Sequence, residues 1–113
     1  MPRFVLLEHD WPERHFDFML EGDHGQLLTW RLPILPSELC VLAAERLPDH
    51  RRAYLDYEGP ISGNRGTVVR RAAGTFRWLD QSENAIKIEW TLGNQLLIAE
   101  WNNLNKTWTF GIG

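Results

Sequence analysis

Two histidines and an aspartate stand close together near the start of the chain, in Glu8-His9-Asp10-Trp11-Pro12-Glu13-Arg14-His15-Phe16-Asp17-Phe18-Met19-Leu20-Glu21. From His15 onward the residues alternate: His15, Asp17, Met19 and Glu21 fall on one side, Phe16, Phe18 and Leu20 on the other. A period of two marks a β-strand with an apolar face on a core. Pro12 favours a turn that folds His9 back beside His15 and Asp17. Two imidazole nitrogens and a carboxylate oxygen then converge, a ligand set suited to a divalent transition metal with positions left open for substrate. The same residues would also serve as the polar face of an edge strand. The placement of His15 and Asp17 on one face of a rigid element favours the site.

A second group lies further on. Asp49-His50-Arg51-Arg52-Ala53-Tyr54 sets an imidazole and a phenol four residues apart, either able to orient a phosphate oxygen or to donate a proton. Around them, Arg46, Arg51, Arg52, Arg65, Arg70 and Arg71 outnumber Asp49, Asp56 and Glu58. Guanidinium groups suit bidentate phosphate contacts; the alternative is an ordinary solvated surface. His24 sits in a turn and reads as exposed.

These groups need a scaffold, and the pattern predicts one made of strands. Arg3 to Glu8 reads as a first strand and His15 to Glu21 as a second. Gln26 to Arg31 is a third, joined to the second by the turn Gly22-Asp23-His24-Gly25. Pro33 and Pro36 interrupt regular structure. Ser37 has the chemistry of an N-cap, and Glu38 to Arg46 reads as the one helix, ended by Pro48. His50 through Tyr57 reads as partly extended, followed by a glycine-rich loop to Gly66. Then come Thr67–Arg71, Thr75–Leu79, Ala85–Leu92, Gln95–Trp101 and a last strand near Thr107–Phe110. About eight short strands with one short helix predict a mainly β fold, a small antiparallel β-barrel or strongly curled sheet, with the metal trio inside its mouth.

The chain as a whole sets bounds on this. Its 113 residues fit one domain, and 43% hydrophobic with 24% charged residues is a globular balance. Six tryptophans in so short a chain favour strands. A net charge of −3 excludes a bulk polyanion binder, so any nucleic-acid contact must be local. Cys40 is the one cysteine, which excludes an intrachain disulfide and suits a reducing compartment. It sits in the run Leu39-Cys40-Val41-Leu42 and reads as a small buried hydrophobe. The apolar run at the N-terminus is too short for a signal peptide, and no stretch is long enough to span a bilayer. A cytoplasmic protein is expected.

Taken in order, these motifs resemble a known family. His9-Asp10, His15-Phe16-Asp17-Phe18 and Leu20-Glu21 are similar to the opening motif of the 3′-phosphoesterase module of bacterial DNA ligase D, the end-joining repair enzyme. Trp30 followed by Pro33, Asp49-His50 with Tyr54, Asp56-Tyr57-Glu58-Gly59 and Gly66-Thr67-Val68 resemble its later motifs over about residues 3 to 80. The resemblance implies a single phosphoesterase-like barrel over residues 1–113, dependent on manganese (zinc or another divalent transition metal being the alternatives), that trims nucleic-acid 3′ ends. By position, His9, His15 and Asp17 would be its metal ligands. His50 and Tyr54 would contact the scissile phosphate, with Glu21 supporting the site.

Two positions depart from the family pattern. Met19 stands where the family carries a phosphate-gripping arginine, and Ile34 where it carries a lysine. Met19 would make the pocket floor more apolar. Arg14, Arg51 and Arg52 are candidates to compensate, and Arg46 approximates a further family arginine. The expected activity is removal of a 3′-phosphate or terminal ribonucleotide in non-homologous end joining. The alternative is a degenerate barrel that binds nucleic-acid ends or a repair partner without turnover. Expected partners are DNA or RNA–DNA 3′ ends and a separate DNA ligase or polymerase, with no membrane and with the protein as a monomer.

Overall fold

A computed structural model describes residues 2–36, 41–90 and 95–112. They form β1 (Arg3–His9), β2 (His15–Glu21), β3 (Leu27–Leu32), β4 (Val41–His50), β5 (Gly59–Pro60), β6 (Thr67–Gln81), β7 (Ala85–Trp90), β8 (Gln95–Asn102) and β9 (Thr107–Ile112), with one 3-10 turn at Arg52–Leu55. Every pairing is antiparallel. The order β1-β2-β3-β4-β9-β8-β7-β6 closes on itself through β6–β1, giving an eight-stranded barrel, and the short β5 adds to β6. Closure leaves no free sheet edge among those eight strands.

β6 makes closure possible because it belongs to two neighbours. Its first part pairs with β1 from Val68 to Thr75, and its second pairs with β7 from Phe76 to Gln81. Thr67–Arg71 and Thr75–Leu79, expected as two strands, are thus one strand. The change of partner falls between Thr75 and Phe76, just after the small-residue stretch Ala72-Ala73-Gly74.

Of the helix expected over Glu38 to Arg46, the described part from Val41 is not helical: from Val41 to His50 the chain is β4, paired with β3 and β9. Leu42 and Ala44 point into the core while Ala43 and Glu45 face out. Barrel pairing here overrides a local composition that favours helix. The N-cap at Ser37 and the burial of Cys40 fall outside the described residues.

The interior is aromatic. Phe18 lies edge-to-face against Trp90 and Phe110, with ring centroids 5.8 and 5.7 Å apart, and Trp30 meets Trp108 at 5.5 Å. Phe4, Leu6, Phe16, Leu20 and Leu32 fill the same core.

A second apolar cluster forms on the outside of the wall. Val5, Leu7, Met19, Leu27 and Val68 point outward and are covered by Leu55, with Tyr54 and Ile61 packed at the margin. β1 and β2 are therefore buried on both faces, which explains why Phe4-Val5-Leu6-Leu7 is continuously apolar. The segment 51–66 is the lid on that outer cluster. The metal trio lies there, on the outer wall, and not inside the mouth of the barrel.

Candidate metal centre

In the β1–β2 ladder His9 opposes His15, and Leu7 opposes Asp17. Directly opposed residues of an antiparallel pair share a face, so pairing alone brings the three side chains together. The two imidazole rings are 5.0 Å apart, inclined at 63°. His15 Nε2 is 3.2 Å from Asp17 Oδ1, and His9 Nδ1 is 3.8 Å from Asp17 Oδ2. One ligand atom from each residue lies within 4.8 Å of the others, so the trio forms a group able to hold a metal ion.

Backbone carbonyls fix both rings from behind. His15 Nδ1 lies 2.8 Å from the Glu13 carbonyl, and His9 Nε2 lies 2.8 Å from the Arg65 carbonyl. A carbonyl only accepts, so these nitrogens carry the proton and donate it. In the neutral rings, the nitrogens facing Asp17 then present lone pairs. Asp17 Oδ1 is accordingly buried with no hydrogen-bond partner, although Nε2 of His15 is near. Lone pair meets lone pair across a buried gap. A divalent cation satisfies all three atoms at once, so the donor set fits a metal.

The Arg65 carbonyl is held by a tight loop. Ile61 N–H donates to the Gly66 carbonyl, and Thr67 N–H donates to Asp10 Oδ1 at 2.7 Å. Gly66 has φ +78°, and a Cβ there would collide with Asp10 Oδ1 and lie 2.6 Å from Trp11 Cβ. Only glycine lets β1 and the loop close to this distance. Nothing in the sequence marks Arg65 as a ring-positioning residue, because its contribution is a backbone carbonyl.

His50 and Tyr54 are brought beside His9 and Asp17 of the trio. A cleft of about 120 Å³ is lined by His9, Asp17, Met19, His50, Tyr54 and Arg65, among others. His50 Nδ1 donates to the Pro48 carbonyl at 2.9 Å, which leaves Nε2 for a ligand. Its ring meets Tyr54 edge-to-face at 5.8 Å. Met19 is fully buried in the outer cluster and forms part of the apolar floor.

The other candidate residues lie elsewhere. Glu21 is outside the cleft: its carboxylate accepts from Arg52 Nε at 2.7 Å and from Arg3 N–H at 3.1 Å. The Arg52 guanidinium, desolvation notwithstanding, holds the Glu21 carboxyl below its ordinary value. This pair ties the 3-10 turn to the barrel. Arg14 is paired with Glu8 at 2.6 Å, and Arg14 and Arg71 together hold the Glu8 carboxyl low. Arg46 binds Asp49 and the carbonyls of Thr29 and Leu47, over the ring of Trp30, away from the trio. Arg51 is exposed and has no ion-pair partner among the described residues. Ile34 is half exposed.

No family model matches the chain. Over 108 residues it is 28% identical to the multifunctional non-homologous end joining protein LigD of Pseudomonas aeruginosa. The chain is similar to a segment of LigD. That match takes in 88% of this chain and 13% of LigD, so LigD extends far beyond what is compared. Among the described residues, no helix is long and apolar enough to cross a membrane.

Proposed function

We propose that the protein is a metal-dependent phosphoesterase that processes nucleic-acid 3′ ends in DNA repair, removing a 3′-phosphate or a terminal ribonucleotide. The observation that carries this reading is the trio of half-buried His9 with buried His15 and Asp17, its Asp17 Oδ1 unpartnered, of which His9 and Asp17 line the cleft that holds His50 and Tyr54. The similarity to a LigD segment supports the repair setting. His9, His15 and Asp17 would hold the ion, manganese being the leading candidate and zinc an alternative. When bound, such an ion supplies Lewis acidity and a water of lowered pKa.

The chain's own residues do the rest. The Glu13 and Arg65 carbonyls hold the two imidazoles in the tautomers that present lone pairs to the cation. His50, anchored through Nδ1, offers Nε2 to a phosphate oxygen or to the leaving oxygen, and the Tyr54 hydroxyl is a second donor. Met19 and Val68 keep water from the floor of the cleft. On this reading the protein acts in the cytoplasm as a monomer on DNA or RNA–DNA ends, beside a separate ligase or polymerase.

A second reading, an end-binding barrel without turnover, is favoured by the carboxylate partners that already hold Arg14, Arg46 and Arg52. The test is incubation with manganese and a primer-template ending in a single ribonucleotide or a 3′-phosphate. Product formation that disappears in His15→Ala supports the enzyme. End binding without product supports the second reading, and absence of measurable metal affinity removes both.

A further inference from the structure

Tyr54 and Ile61 are shared by two clefts. One is the cleft of the metal trio; the other, of about 250 Å³, is lined also by Arg51, Tyr57, Pro60 and Ser62. The Tyr57 ring stands perpendicular to Tyr54 at 6.1 Å, and Tyr54 stands edge-to-face on His50, so three rings run unbroken from one cleft to the other. Tyr57 is held in place by donating its hydroxyl to the Pro60 carbonyl, and its ring remains partly exposed. Arg51 is the one charged side chain lining this second cleft. Arg14, Arg46 and Arg52 are each neutralised by a carboxylate; Arg51 has no such partner among the described residues.

An open aromatic ring, an unneutralised guanidinium and a serine hydroxyl, with no carboxylate lining, match the chemistry of one nucleoside and its phosphate. Base stacking on an aromatic side chain tolerates any sequence, and the guanidinium contributes both charge and a planar face. We propose that the second cleft is a subsite for the terminal nucleoside of the substrate. Its base lies against Tyr57, and Arg51 contacts the phosphate that joins it to the strand. This rests on the phosphoesterase reading for its substrate but not for its binding chemistry. It also selects, of the two activities, removal of a terminal ribonucleotide as the one the protein is shaped for. The shared wall of Tyr54 then sets the linking phosphate at His50 and the trio.

The test uses adenosine and cytidine 5′-monophosphates and inorganic phosphate, titrated into metal-free protein and followed by amide shifts and calorimetry. Both nucleotides are expected to shift Arg51, Tyr57, Ile61 and Ser62 and to bind about tenfold more tightly than phosphate. Arg51→Ala and Tyr57→Leu should each weaken nucleotide binding about tenfold, while Tyr57→Phe, which keeps the ring and loses only its bond to the Pro60 carbonyl, should weaken it less than Tyr57→Leu. With manganese, Tyr57→Leu should lower the ratio of kcat/KM on a terminal ribonucleotide to kcat/KM on a 3′-phosphate about tenfold. Nucleotide shifts elsewhere, or equal binding by Arg51→Ala and Tyr57→Leu, would overturn the subsite. Nucleotide binding at these residues without turnover on any end keeps the subsite and removes the phosphoesterase reading. Turnover with an unchanged substrate ratio does the reverse.

Discussion

Nε2 of His15 lies 3.2 Å from Oδ1 of Asp17, and that oxygen, though buried, receives no hydrogen bond. Nδ1 of the ring donates to the Glu13 carbonyl, so the neutral imidazole turns its lone pair toward the carboxylate. A divalent cation between the two would be held by both groups.

Asp17→Asn separates the metal-free from the metal-bound state. The amide can donate to His15 Nε2 and removes a buried charge, so the metal-free variant should be more stable than wild type by about 1–2 kcal/mol. At manganese a hundred times above its dissociation constant the wild type should gain about 2.7 kcal/mol, and the variant at most about 0.4 kcal/mol. Urea midpoints with and without manganese measure both.

The outer cluster holds only the lid. Leu55 covers Val5, Leu7, Met19, Leu27 and Val68 from the segment that also carries Tyr54. Leu55→Ala should cost about 2–4 kcal/mol of protection in that segment. Amide exchange should accelerate over residues 52–66 while Phe18 and Phe110 in the barrel stay protected.

Two glycines of the loop should respond differently. Gly66→Ala places a methyl into Asp10 and Trp11 at a positive φ and should cost about 2–4 kcal/mol. It should also weaken metal binding, because the Arg65 carbonyl that orients His9 must move. At Gly63 the φ is +76° but the nearest atom to a new Cβ is Arg65 Nε at 3.4 Å, so Gly63→Ala should cost nearer 1 kcal/mol. Thermal melts and a manganese titration of both variants give the comparison.

The legible part of the molecule was the part written in alternation. His15-Phe16-Asp17-Phe18-Met19-Leu20-Glu21 gave β2 with its bounds, and the strand's face gave the proximity of His15 to Asp17. His9 joined them because the turn at Pro12 makes it the cross-strand partner of His15. Val41 to Arg46, within the helix expected over Glu38 to Arg46, was misread because Leu, Ala, Glu and Arg are strong helix formers, while the partners that hold this strand, β3 and β9, are distant in sequence. Period two was present in Leu42-Ala43-Ala44-Glu45, with small alanines obscuring it. Glu21 shares a face with Asp17, but Arg3 and Arg52 claim it beyond the cleft. The Arg65 carbonyl left no trace in side-chain chemistry at all.

Acid should loosen the lid. Arg52 lowers the Glu21 carboxyl below its ordinary 4.5, so the folded state binds the proton less well than the unfolded chain. Stability from this pair is complete above that value and is lost as pH falls below about 4.5 through the folded pKa. Arg52 is largely exposed, so solvent screening limits the contribution to about 0.5–1 kcal/mol. Arg52→Ala should flatten the fall of the unfolding free energy from urea titrations between pH 4.5 and pH 3 by about that amount.

The most direct measurement is a manganese titration of the wild type, His15→Ala and Asp17→Asn by calorimetry, with electron paramagnetic resonance counting free ion. One ion per chain in the wild type, with affinity reduced about 100-fold or more in both variants, is the expected result. Binding of equal strength in all three proteins, or none in the wild type, would contradict a metal centre at His9, His15 and Asp17.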